Sequence, residues 1–306
     1  MKTRGTIFLL GTIAVLTAGV CFAQTRFGPG FRRGWGSRDG PIVSTEGGDY
    51  VNEDTVRTAR ETASHSTGTP EWKNAPGFEK DVFTYARVIY KMNDIPAPPM
   101  LGWVNDYPDG DLNLSFRLQQ LTSMKVDPDG RVLKLTNPDL FRYPVIFMSQ
   151  PGHMVLRDEE VPILREYLLN GGALVADDFW GDEEWQSFEN EMKRVLPERR
   201  WAELPMDHPI FHCVFDLKVP KNDLQVQTKN FWMRGGITHR GWQDTADFHV
   251  RAWLDDKQRI MAIAFHNSDN GDGWEREGEN EEYFHTFSES RAYPLAINTI
   301  FYLMTH

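Results

Sequence analysis

Cysteine is almost missing from this chain. Its 306 residues include 2 cysteines, Cys21 and Cys213. The first lies in a leader-like segment, so no internal disulfide can brace the rest. Positive charge is also scarce: 33 lysines and arginines face 44 acidic residues, a net charge of −11. Nucleic-acid phosphates and anionic lipid both need a basic surface, which excludes them as partners of the main domain. Past the amino-terminal segment no apolar run is long enough for a bilayer span, so no transmembrane domain is expected after cleavage. GxSxG, Walker, HExxH and CxxC patterns are lacking, as is a GxGxxG following a strand. The common hydrolase, nucleotide, zinc-protease, redox and dinucleotide templates therefore do not apply. Neither an internal repeat nor a heptad is found.

What is present begins with an address. Lys2 and Arg4 precede an apolar run from Thr6 to Val20, and Cys21-Phe22-Ala23 sets small residues at −3 and −1 before Gln24. This is the pattern of a secretory signal peptide covering residues 1–23. An uncleaved anchor is the alternative. The expected destination is outside the cytoplasm, in the periplasm or cell envelope. Residues 24–80, rich in Gly, Arg, Ser and Thr, carry no persistent apolar period and read as a flexible linker. Its first part, RFGPGFRRGWGSRDG, is basic with Phe27, Phe31 and Trp35 interspersed, and offers itself as a tether or as an arm for an acidic partner.

A hydrophobic share of 40% is ample for one α/β domain over residues 81–306. Its clearest part runs from Tyr143 to Asp182. Val145–Ser149 is continuously apolar, as a strand buried on both faces must be. A helix follows, with Asp158 as N-cap candidate, Pro162 in its first turn and Val161, Leu164 and Leu168 as its buried stripe. Gly171 suits the C′ position, where positive φ carries no Cβ penalty. The strand Ala173–Ala176 then delivers Asp177, Asp178, Phe179 and Trp180 to its carboxyl end. FTYARVIY predicts an earlier strand, Leu114, Leu118 and Leu121 one face of a helix, and Glu184–Val195 another helix. Further on, FWMRGGITHRGW and the segments flanking Asp255-Asp256 read as strands, the latter pair as a hairpin. SRAYPLAINTIFYLMTH closes the chain as a helix. Repeated β-then-α alternation implies a three-layer, mostly parallel sheet with helices on both faces and a β-rich carboxyl-terminal part. Right-handed crossover places the loops after Ser149 and Ala176 on one edge, where such sheets bind ligands.

The motifs DYPDGDLNLSFRLQQLT, YPVIFMSQPGH, LLNGGALVADDFWG, DHPIFHCVFDL and HNSDNGDGWE, in this order, resemble the bacterial family called domain of unknown function 4159. At fold level the resemblance implies a class I glutamine amidotransferase-like, flavodoxin-like architecture. Catalytic members of that fold carry a cysteine on a sharp turn after a central strand. Here ALVADDFWG bears Asp177 and Asp178 instead, so no thiol nucleophile is expected. Cys213, in the apolar run IFHCVF, reads as a buried inert thiol.

The expected site therefore lies along the strand ends. Asp178 and His153 form the candidate acid–base pair, since a histidine near a carboxylate makes a general base. Gln150, Asp177, Phe179, Trp180, Asp111, Arg117 and Trp274 are candidate ligand contacts, Phe179 and Trp180 as a stacking floor or as core, and Trp274 as a lid. Asp106, Asp109 and Asp111 before a helix invite either capping or a hard cation. His208 and His212 flank Pro209, which prevents a regular helix from aligning them on zinc. Asp269, Asp272 and Glu275 lack the spacing of a calcium loop and read as an ordered acidic loop. No cofactor or metal is expected. A small polar ligand or an envelope protein is the expected partner, bound without catalysis; the alternative is a hydrolase acting on a carbohydrate or amide.

Overall fold

The structure, a computed structural model, describes residues 41–77, 81–93 and 102–306. The leader-like segment and the basic arm with Phe27, Phe31 and Trp35 lie outside these residues. In chain order the described strands and helices begin with β1 (Ile42–Ser44), β2 (Tyr50–Asn52), β3 (Ala86–Ile89), β4 (Lys91–Met92), α1 (Asp109–Leu121) and β5 (Arg131–Lys134). Then come β6 (Val145–Ser149), β7 (Met154–Val155), α2 (Glu160–Leu169), β8 (Ala173–Phe179), α3 (Gly181–Val195) and β9 (Trp201–Glu203). The carboxyl-terminal part holds α4 (Lys229–Gly235), β10 (His249–Leu254), β11 (Ile260–His266), α5 (Asn270–Glu275), α6 (Glu281–Tyr283) and α7 (Tyr293–Thr305).

Seven strands form one mixed sheet in the order β5-β3-β6-β8-β11-β10-β9. The five from β5 to β11 run parallel, while β10 and β9 add an antiparallel edge. Alternation along the central strands assigns their side chains to two cores. Ile146, Met148, Leu174 and Ala176 join Leu164 and Leu168 of α2 and Trp185, Phe188 and Met192 of α3. Val145, Phe147 and Val175 join Leu114 and Leu118 of α1 and Ile297 and Ile300 of α7. Helices thus cover both faces, as parallel strands require. α2 ends with Gly171 at φ 108°. Asp255 and Arg259 close the hairpin between β10 and β11.

Several local expectations are corrected. Residues 41–77 are part of the folded unit: β1 pairs with β2, Val51, Val56 and Ala59 enter the core, and Arg60 donates to the carbonyls of Pro128, Thr69 and Pro70. Arginine and backbone hydrogen bonds tie this segment down, so its lack of an apolar period misleads. Asp158 caps no helix and instead pairs with Arg194 at 2.8 Å. FWMRGGITHRGW contains helix α4, because Trp232 packs on Tyr283 and Phe287 and Gly236, at φ 70°, ends the turn. The expected acidic loop is the buried helix α5. Glycine makes this close packing feasible: a Cβ on Gly271 would sit 2.1 Å from Asp106 Oδ2.

Leu118 is fully buried, while Leu121, one turn on in the same helix, is 49% exposed. Urea unfolding is expected to show a loss of about 2–5 kcal/mol for Leu118→Ala and less than about 0.5 kcal/mol for Leu121→Ala.

Candidate functional site

The parallel strands bring four unusual backbone positions to their carboxyl edge. Among the described residues, five that are not glycine have positive φ; Gln150 (50°) and Asn267 (62°) directly follow β6 and β11, Asp178 (57°) is the penultimate residue of β8, and Asp106 (60°), in the segment before α1, meets Ser149 at the end of β6. Such conformations persist only where surrounding contacts enforce them, and they cluster at ligand sites. Asp, Asn and their like tolerate the left-handed region best, so Gln150 is the most demanding of the four. At the end of β8 the pairing slips: Ala264 faces Ala176, but His266 faces Phe179. One extra residue in β8 makes a bulge, which turns Asp178 away from the regular strand alternation.

Asp178 is 1% exposed, and donors surround its carboxylate. Oδ2 accepts from Asn105 Nδ2 and Gln150 Nε2, both at 2.8 Å, and Oδ1 accepts from Trp180 Nε1 at 2.9 Å. Arg240 adds its charge, with Nη2 3.5 Å from Asp178 Oδ1 and 3.7 Å from Asp269. Its guanidinium lies 4.8 Å above the Trp180 ring, in cation–π range. Gln150 is itself clamped, its Oε1 accepting from Gly102 N at 2.8 Å. Beneath, Arg87 on β3 holds both Asp111 oxygens with Nε at 2.9 Å and donates from Nη1 to the carbonyls of Trp103 and Asn105. That ion pair fixes the loop bearing Asn105 and Asp106.

The other predicted residues divide. His153 stands at the same edge, in the turn Pro151–His153, but its Nε2 is 3.5 Å from Glu184 Oε1. No described hydrogen bond joins it to Asp178. Burial holds its pKa below the usual histidine value, against the opposing charge of Asp178. Asp177 accepts from Asn270 Nδ2 at 2.7 Å and Gly271 N at 2.9 Å, while burial pushes its pKa up to about 7. Both aromatics are buried, Trp180 with its indole N–H on Asp178 and Phe179 in the core against Trp185 and Phe188. Asp111 is committed to Arg87 and therefore is no free ligand contact. Arg117 pairs with Glu277 rather than with the acids opening α1. Trp274 is buried in α5 and is no lid. It borders an interior void of about 10 Å³ shared with Asp106, Ser149 and Asp177, room for one water. His208 and His212 make separate contacts, His208 with Ile210 N and His212 with Asp216 and the Met206 carbonyl. Cys213, half-buried, donates toward the Asn298 carbonyl, and burial raises its pKa.

Sequence reasoning missed Glu184, Arg240, Arg87 and Asn105. Only Glu184 left a signal: Gly152 in the QPGH turn, whose added Cβ would lie 2.5 Å from Glu184 Cβ. Glu184 Oε2 accepts from Trp180 N at 2.8 Å, and burial pushes its pKa up to about 7.

A protein-family model described as Domain of unknown function (DUF4159) matches residues 84–304. The chain belongs to this family. No curated protein matches it. Among the described residues of this family member, no helix is long and apolar enough to cross a membrane.

A carboxyl whose pKa rises on folding binds more protons folded than unfolded, so its contribution declines as pH climbs from the unfolded value toward about 7. His153, shifted the other way, contributes with the opposite sign. Between about pH 5 and pH 8, Glu184→Gln should gain on the wild type by up to about 2–3 kcal/mol. Chemical denaturation across that range checks this, and an unchanged difference would contradict it.

Proposed function

We propose that this is an exported cell-envelope protein whose amidotransferase-like domain binds a small polar ligand or an envelope protein without turning it over. The observation that carries this reading is the saturation of Asp178. On this reading Asp178, at the bulge near the end of β8, stands in for the thiol of catalytic members of that fold. Three hydrogen bonds and a guanidinium already engage its oxygens. A general base needs a free lone pair within reach of the proton it takes, whereas an engaged carboxylate serves to orient its donors. Asn105, Gln150, Trp180 and Arg240 are the groups so oriented, and they supply amide, aromatic and cationic contacts for a polar ligand.

A hydrolytic reading on a carbohydrate or amide is favoured by one specific contact, His153 against Glu184. The carboxyl with a pKa near 7 and the imidazole 3.5 Å away would share the proton traffic. Asp178 then positions and does not react.

Thermal shift with a panel of free amino acids, mono- and disaccharides distinguishes the readings. Binding without turnover predicts a saturable rise in melting temperature with one class, weakened about tenfold or more by Asp178→Asn, as loss of a charge-assisted anchor implies. The ligand should be recovered unchanged by NMR. Conversion by the wild type that His153→Ala or Glu184→Gln abolishes would overturn it.

A further inference from the structure

Carboxylates accumulate behind the strand edge beyond what the neighbouring cations serve. Asp106, Asp272 and Glu275 are all buried, and an oxygen from each lies within 4.8 Å of the others. Arg276 is their nearest cation, with Nε 3.3 Å from Asp272 Oδ1 and Nη2 3.2 Å from Glu275 Oε1. It divides itself further, also pairing with Glu46 and Glu279. His65 contacts the same Glu275 Oε1. The remaining oxygen, Glu275 Oε2, is fully buried and receives no hydrogen bond. Asp106 accepts only one long bond from the described side chains, Ser149 Oγ at 3.3 Å, and otherwise faces Glu275.

Two under-served buried carboxyls in contact need something between them, because an unpaired buried charge is expensive. A shared proton would suffice for Asp106 and Glu275 alone. A cation would also draw on Asp272, whose Oδ1 has only the long Arg276 contact. The second solution serves all three acids at once, since one ion would engage Glu275 Oε2, Asp106 and Asp272 Oδ1 together. All three donors are oxygen, which selects a hard ion, and calcium accepts an irregular set of oxygens where magnesium demands a near-ideal octahedron.

We propose that Asp106, Asp272 and Glu275 hold a divalent cation, calcium in preference to magnesium, behind the carboxyl edge of the sheet. The ion joins α5 to the loop before α1, and that loop carries Asn105 to Asp178. This site is independent of the ligand reading above: either can fail with the other intact.

The test uses the full chain, dialysed against chelator and then titrated with calcium, magnesium or manganese chloride. Elemental analysis of protein purified without chelator should find about one calcium per chain. Calcium should raise the melting temperature of the stripped protein by about 5 °C at a hundredfold excess over Kd, and magnesium should do less. Asp106→Asn and Glu275→Gln should each abolish the response. If neither variant folds, metal content and calcium response of the wild type decide alone. Absence of bound metal together with absence of any shift overturns the proposal. So does an Asp106→Asn protein as stable as the calcium-loaded wild type, since the amide can replace a shared proton but cannot replace an ionic ligand.

Discussion

A single buried carboxylate ties together the carboxyl edge of this sheet. Asp178 takes donors from Asn105, Gln150 and Trp180 and the charge of Arg240, groups that come from four separate stretches of chain. Burying an unpaired carboxylate would be prohibitive, and these partners offset that cost. The same bonds hold Gln150 and Asp178 in left-handed backbone conformations, each of which costs on the order of 1–3 kcal/mol. Strain and charge thus support each other: the bulge turns the acid toward its donors, and the donors keep the bulge in place.

Two further layers support that arrangement. Arg87 and Asp111 anchor the loop of Asn105 from below through side-chain and carbonyl contacts. Behind them, Asp106 and the acids of α5 crowd carboxyl groups together, and burial, with mutual repulsion added at Asp106 and Glu275, pushes them toward the neutral form. An anion approaching Arg240 and Trp180 would meet Asp178 and Asp269 at once, whereas a neutral polar or cationic group would be accommodated. The His153–Glu184 contact stands beside this centre and is tied to it by two backbone donors, Trp180 N to Glu184 and His153 N to the Gln150 carbonyl.

The scaffold was legible where a physical period exists. Continuous apolar strands, the stripe of α2 and the glycine after it, and the convergence of Gln150, His153 and Asp178 at one edge all follow from sequence. Side chains whose role depends on a distant partner were not legible. Asp111 and Arg117 looked equally available, yet each is consumed by a partner, Arg87 or Glu277, that no spacing rule links to it. Phe179 and Trp180 are adjacent and both buried, but the first packs against α3 and the second against Asp178 and Arg240. Residues 41–77 failed for a different reason: backbone hydrogen bonds and Arg60 hold them, and composition does not register those contacts.

Hydrogen–deuterium exchange on the wild type and Asp178→Asn tests the account most directly. If this carboxylate holds the edge together, the variant exchanges faster over residues 102–108, 150–153 and 238–242, with the interior of β6 and β8 unchanged. Equal protection in all three segments would show that they are held by other contacts.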